Sequence, residues 1–220
     1  MQFLWLLAAC SGADFKQRGG ADFERRGGAD YERHGGSMTC GAGVSVCGVL
    51  ALMTGLGSGV QNVSGGAVYG HPVPMVHGLW PEVPPYGDSK CVQPVDPPPP
   101  ALLYTCYACP ANDTNCTAQH QHLFEQHEWA KHGVCAQAFD ADTFFRLVCA
   151  LSKEPLQLLT VARRNGIHDI GVFAALLSAA GYEVFSTDAA TSSLLLSACV
   201  NRKGDWLLAP RSDFERVCGG

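Results

Sequence analysis

Apolar positions fall into readable periods only from His71 onward, and the elements come in a definite order. His71 to Trp80 reads as an extended segment, because Pro72 and Pro74 remove backbone donors and exclude a helix at its start. Residues 81 to 118 are loop-rich, with a proline run at Pro97 to Pro100. The spacing then predicts a helix from His122 to about Cys135 and another from Asp142 to Lys153, with Asp142 as N-cap. Pro155 opens a third helix through Arg164, closed by Asn165-Gly166. Ile170 to Ala180 is a further helix, stopped by Gly181. Short strands follow at Glu183 to Phe185, Leu194 to Val200 and Trp206 to Leu208, with a turn at Lys203-Gly204-Asp205. Helices followed by paired strands predict an α+β fold.

The chain before His71 has a different character and divides in two. Residues 1–36 carry a strict eight-residue repeat: Gly12 to Gly19, then GGADFERR and GGADYERH. Three copies bury very little, so this is a charged low-complexity segment, a signal region or a gene-model artefact. Met1 to Ala9 resembles a short signal h-region without a basic flank, and Leu7-Ala8-Ala9-Cys10 fits a lipoprotein cleavage box. Residues 37–70 hold no charge at all. Val44 to Val60 is apolar but slightly short for a membrane span, and Gly55, Gly57 and Gly59 weaken it as a helix. A displaced signal sequence, a signal anchor and a core strand all fit. Residues 71–220 form the folded domain.

Composition narrows the class. With 47% hydrophobic and 16% charged residues the chain is globular, and a net charge of −5 provides no basic face for duplex DNA. A nucleic-acid partner would need a local site, helped at acidic pH by the eight histidines. Eleven cysteines point to an oxidised framework in a secreted, lumenal or vacuolar protein. The sequons Asn62-Val63-Ser64, Asn112-Asp113-Thr114 and Asn115-Cys116-Thr117 agree with that route. Cys106 and Cys109 form a CxxC near Cys116, His120 and His122, which leaves a zinc knuckle open as an alternative to disulfides.

The candidate chemistry lies in His127, Glu128, Lys131 and His132. On an ideal helix they sit at roughly 0°, 100°, 40° and 140°, one polar face across two turns. Leu123, Ala130 and Val134 would anchor the opposite flank to a core. A solvated helix face fits the same spacing. A zinc peptidase does not: the second ligand position, four residues after His127, is Lys131, and a protonated lysine cannot coordinate zinc.

His77-Gly78-Leu79-Trp80-Pro81, followed by His127-Glu128-Trp129-Ala130-Lys131-His132-Gly133-Val134-Cys135, resembles the two signatures of the T2 family of acid ribonucleases. The resemblance covers residues 71 to 220 and implies cleavage of single-stranded RNA by transfer to the 2′-hydroxyl. It implies His77 and His132 as the acid–base pair, with His132 the base. His127 would then bind phosphate, while Glu128 and Lys131 support the transition state. Two histidines near neutrality suit this chemistry, and a fixed cation suits the charge gathered by the phosphorane. Glu128 could also orient His132 and raise its pKa. Neither metal nor cofactor is required, because the nucleophile belongs to the substrate, and DNA is excluded as a substrate. Trp80 is a candidate base-stacking surface, with Glu82 and Tyr86 as further substrate contacts. By the same resemblance Cys135 pairs with Cys91, and Cys199 and Cys218 bridge a hairpin. The molecule is expected to be a monomer, without a membrane partner beyond an N-terminal signal or anchor.

The sequence departs from the family pattern in three places. Glu125 stands where the family often has tryptophan, and Val134 replaces the usual threonine. The family's first strand, with its tryptophan-proline pattern, is not legible between residues 37 and 76. Either the charge-free segment supplies that strand, or the sheet lacks a member. In the second case the chain would be an impaired ribonuclease-like protein that binds RNA or a partner without turnover.

Overall fold

The computed structural model describes residues 38–56, 61–63, 67–69, 72–82, 98–110, 113, 116–189 and 191–219. Part of the charge-free segment forms a strand. Cys47–Met53 (β1) is buried along its whole length and lies at the centre of a five-stranded antiparallel sheet. It pairs on one side with β4 (Met75–Pro81) and on the other with β6 (Ser193–Val200). β5 (Val184–Asp188) and β7 (Trp206–Leu208) both pair with β6, and β2 (Gln61–Val63) forms a separate small hairpin with β3 (Ala67–Tyr69). A seven-residue apolar run without charge is what a strand covered on both faces requires. The signal-anchor reading therefore fails for residues 47–53. The ordered chain also begins well before His71.

The sheet separates two apolar layers. Leu50, Leu52, Leu79, Leu194 and Leu196 face the larger core, which the helices complete. Val49, Ala51, Leu195 and Cys199 face a smaller one, closed by Met38, Ala209 and Phe214. The helices are α1 (Ala118–Lys131), α2 (Ala141–Arg164), α3 (Ile170–Ala179) and the short α4 (Phe214–Val217). α2 packs against β4, β1 and β7. The fold is thus α+β, as expected.

Two helix boundaries differ from the sequence reading. The expected break before Pro155 does not occur, and α2 is one helix of 24 residues with Pro155 buried inside it. Phe144, Phe145 and Val148 bury its first half, and Leu159 and Ala162 its second. Packing at both ends outweighs the lost backbone bond. Its N-cap is Asp140, whose carboxylate accepts from the Thr143 N–H; Asp142 instead accepts from the Tyr104 hydroxyl and the Ala101 N–H. α1 begins four residues earlier than expected, capped by Thr117, and ends at Lys131 with His132 as C-cap.

Four disulfides tie the described residues together: Cys40–Cys47, Cys106–Cys149, Cys109–Cys116 and Cys199–Cys218. Cys106 and Cys109 are therefore spent on separate bridges, and the zinc knuckle is overturned. The Cys199–Cys218 bridge is as expected. Cys135 is also disulfide-bonded, whereas its expected partner Cys91 lies outside the described residues. Among the described residues no helix is long and apolar enough to cross a membrane.

Candidate active site

His77 owes its position to an irregularity in the sheet. Ala51 pairs with Gly78 and Leu52 with Val76, so His77 is the extra residue of a β-bulge in β4. A bulge turns a side chain out of the regular alternation, a device common beside active sites. The imidazole is 9% exposed, and its ring meets Phe124 of α1 at 5.4 Å and Trp80 edge-on at 4.7 Å.

α1 brings its chemistry to the same place with a face other than the expected one. The buried positions are Gln121, Phe124, Glu125, Glu128 and Trp129, whereas Leu123 and Val134 are only partly buried. Burying two glutamates and a glutamine gives the helix almost no apolar stripe to read. Glu128 is 1% exposed and points at β4. Its Oε1 lies 3.4 Å from His77 Nε2, and its Oε2 accepts from Trp80 Nε1 at 3.0 Å. Burial alone would raise this carboxyl. The facing His77, with its hydrogen bond, and the charges of His132 and His127 outweigh burial and hold it at about 2.

Gly78 makes this approach feasible. A Cβ there would stand 2.0 Å from Glu128 Oε2 and 2.9 Å from Trp80 Nε1. The glycine of the first motif is thus a steric requirement of the second. Gly78→Ala is expected to destabilise the protein by about 1–3 kcal/mol, the usual cost of overpacking. A lowered denaturant midpoint with unchanged slope would bear this out, and an unaltered midpoint would count against it.

His132 is not part of the helix. Its φ of −127° and ψ of −45° take the chain out of α1, while its N–H still donates to the Glu128 carbonyl. The helical angle expected for it therefore lapses. Its ring lies over Trp80 at 5.2 Å between centroids, tilted by 31°. Both imidazoles thus contact Trp80, which is half-buried with its N–H tied to Glu128. Burial outweighs the expected upward effect of Glu128 on the His132 pKa, which is lowered overall. Burial lowers it, Glu128 opposes, and His127, His77 and Lys131 add to the lowering. His127 is half-buried and also lowered, chiefly by burial, with Glu128 opposing and His77 and Lys131 assisting. Lys131, half-buried, is the last residue of α1.

The remaining expected contacts are placed differently. Glu82 follows β4 and is 2% exposed, its N–H donating to the Cys47 carbonyl. Tyr86 lies outside the described residues. The structure thus gathers His77, Trp80, Glu128 and His132, with His127 close enough to influence Glu128 electrostatically.

Phe124, Gly78 and Gly133 are supporting residues that sequence reading did not single out. The two glycines could have been suspected from their places inside the motifs. At Gly133 a Cβ would meet Trp129 at 2.3 Å and Phe144 at 2.8 Å, so this glycine lets the end of α1 pack on α2. Glu125 is fully buried. Its Oε1 accepts from the Tyr104 N–H and from Gln121 Nε2. Burial pushes it up to about 7 despite those two bonds, with nearby Asp142 adding to the rise.

Compared with known proteins, the chain matches no protein-family model and no curated sequence.

Proposed function

We propose that the protein is an endoribonuclease that cleaves single-stranded RNA through the ribose 2′-hydroxyl. The observation that carries this reading is the meeting of His77 and His132 at the ring of Trp80, with Glu128 contacting both His77 and the indole. Internal transfer needs one group that takes a proton and one that gives a proton. Burial keeps His132 unprotonated at mildly acidic pH, the form a base needs. Glu128 stays ionised there, so a proton carried by His77 meets a counter-charge. Nε2 of His77 faces that carboxylate, and Nδ1 has no hydrogen-bond partner among the described residues.

His132 removes the 2′-hydroxyl proton, and the oxygen forms a bond to phosphorus. The bond from phosphorus to the 5′-oxygen breaks, and His77 protonates that oxygen. The products are a 2′,3′-cyclic phosphate and a 5′-hydroxyl. Water then opens the cycle to a 3′-phosphate with the two roles exchanged. Lys131 and His127 stabilise the charge on the non-bridging oxygens. That β1 fills the centre of the sheet supports the catalytic reading over a binding-only one.

The purified protein, incubated with single-stranded RNA in EDTA at about pH 5, should yield 2′,3′-cyclic phosphate ends and leave DNA of the same sequence intact. Cleavage that disappears with chelator would overturn the proposal.

A further inference from the structure

A second feature suits the same substrate class and lies away from the histidines. A groove of about 480 Å³ runs between α2, the segment entering β4 and the turn at Thr105–Tyr107. That size is in the range of ordinary small-ligand sites. One wall is Val73, Pro74 and Met75; the other includes Lys153, Gln157, Thr160 and Arg164. These four positions on α2 fall at roughly 0°, 40°, 340° and 20°, a single polar stripe about 16 Å long. Lys153, Gln157 and Arg164 are exposed and Thr160 half-buried. Among the described residues that line the groove, none is acidic. In a protein of net charge −5, an acid-free groove with a cation at each end of its stripe is a local reversal of the overall field.

The groove neighbours the site along β4, with the buried Tyr107 and Phe124 between them. Met75 lines it, and His77 lies two residues further along β4, roughly 7 Å away. Cys106 lines it too. The next residue, Tyr107, has its ring 5.9 Å from that of Phe124, which in turn meets His77. Phosphates recur about every 3.4 Å or more along a strand, so the stripe spans several of them.

We propose that this groove is a second subsite, holding the backbone of the same RNA strand several nucleotides from the scissile bond. Lys153 and Arg164 pair with phosphates, while Gln157 and Thr160 donate to phosphate or ribose oxygens. The proposal rests on the ribonuclease reading and deepens it: the substrate is a strand of several nucleotides rather than a dinucleotide.

The test uses the full chain and the charge-reversed pair Lys153→Glu with Arg164→Glu, beside the milder pair Lys153→Gln with Arg164→Gln. Lys203→Glu, in the β6–β7 turn, changes the net charge as much as the neutralised pair does and is the control for it. Each is given mixed-sequence dinucleoside monophosphates and a mixed-sequence 12-nucleotide RNA at pH 5. Binding of an uncleavable 2′-O-methyl 12-mer is followed by fluorescence anisotropy. The expected result is a KM for the 12-mer raised about 10-fold by reversal and less by neutralisation, steepest at low salt. Dinucleotide cleavage should be unchanged. Equal cleavage of both substrates by all variants, with equal binding, would overturn the groove and leave the histidine chemistry standing. Absence of cleavage, with 12-mer binding weakened only by the groove variants, would sink the ribonuclease reading while supporting an RNA-binding groove. Weakening by Lys203→Glu to the same extent would reduce the effect to net charge and overturn the subsite.

Discussion

His77→Ala and His132→Ala are each expected to lower RNA cleavage by roughly 10²–10⁴-fold, the usual contribution of a positioned acid or base. The double variant should fall well short of the product of the two losses, because acid and base act in one step. Both side chains are also packing partners of Trp80, so folding must be followed in parallel. His77→Ala removes the imidazole that faces Glu128 at 3.4 Å, leaving a hole beside a carboxylate that is 1% exposed. Its thermal stability should therefore drop more than that of His132→Ala, whose ring is half-buried. Activity loss without unfolding identifies the chemistry, and full cleavage by either folded variant would remove that histidine from the mechanism. His127→Ala is the useful contrast: as a phosphate contact it should raise KM more than it lowers kcat.

The second large effect concerns stability and comes from Glu125. In the unfolded chain its carboxyl titrates near 4.5, and in the folded protein burial pushes it up to about 7. Below pH 4.5 the group is protonated in both states, and its contribution to stability is complete. Between pH 4.5 and 7 the unfolded chain releases a proton that the folded protein keeps, so stability falls as pH rises. The loss reaches about 3 kcal/mol above pH 7. Glu125→Gln keeps an oxygen to accept from the Tyr104 N–H but cannot ionise. Relative to wild type, the variant should gain stability progressively across that window, equivalent to roughly 6–12 °C in Tm. Asp142, and the Tyr104 hydroxyl that donates to it, are common to both proteins. A difference in Tm that stays constant from pH 4 to 8 would show that Glu125 does not titrate in this way.

Glu125 also illustrates where the sequence stopped being readable. It stood out only as a departure from a motif, because a glutamate on a helix is ordinarily a surface residue. The structure buries it with Gln121 and Glu128 on one face of α1, so the polar face of the sequence is in part the inward face of the fold. His132 was misplaced for a related reason: helical geometry was extended one residue too far, and the cap conformation carries the ring to Trp80. By contrast β6, β7 and α3 were legible almost to the residue, since regular periods bounded by glycine turns left few alternatives. β1 was the costliest ambiguity. A short apolar run flanked by glycines suits a strand, a signal or an anchor equally well, and only its partners decide. The bulge at His77 had no local signature, because it depends on how β4 is registered against β1.

The central place of β1 bears on how the molecule comes to be made. Its β4 edge can pair soon after residue 81 is synthesised, but its other edge waits for β6, with Cys47 opposite Cys199. Pairing over such a separation is slow, and a bare strand edge is a template for wrong partners. Until residue 200 has emerged, the most apolar strand of the sheet is half-covered. A nascent or truncated chain is therefore at its most aggregation-prone in that interval, before the last strands arrive.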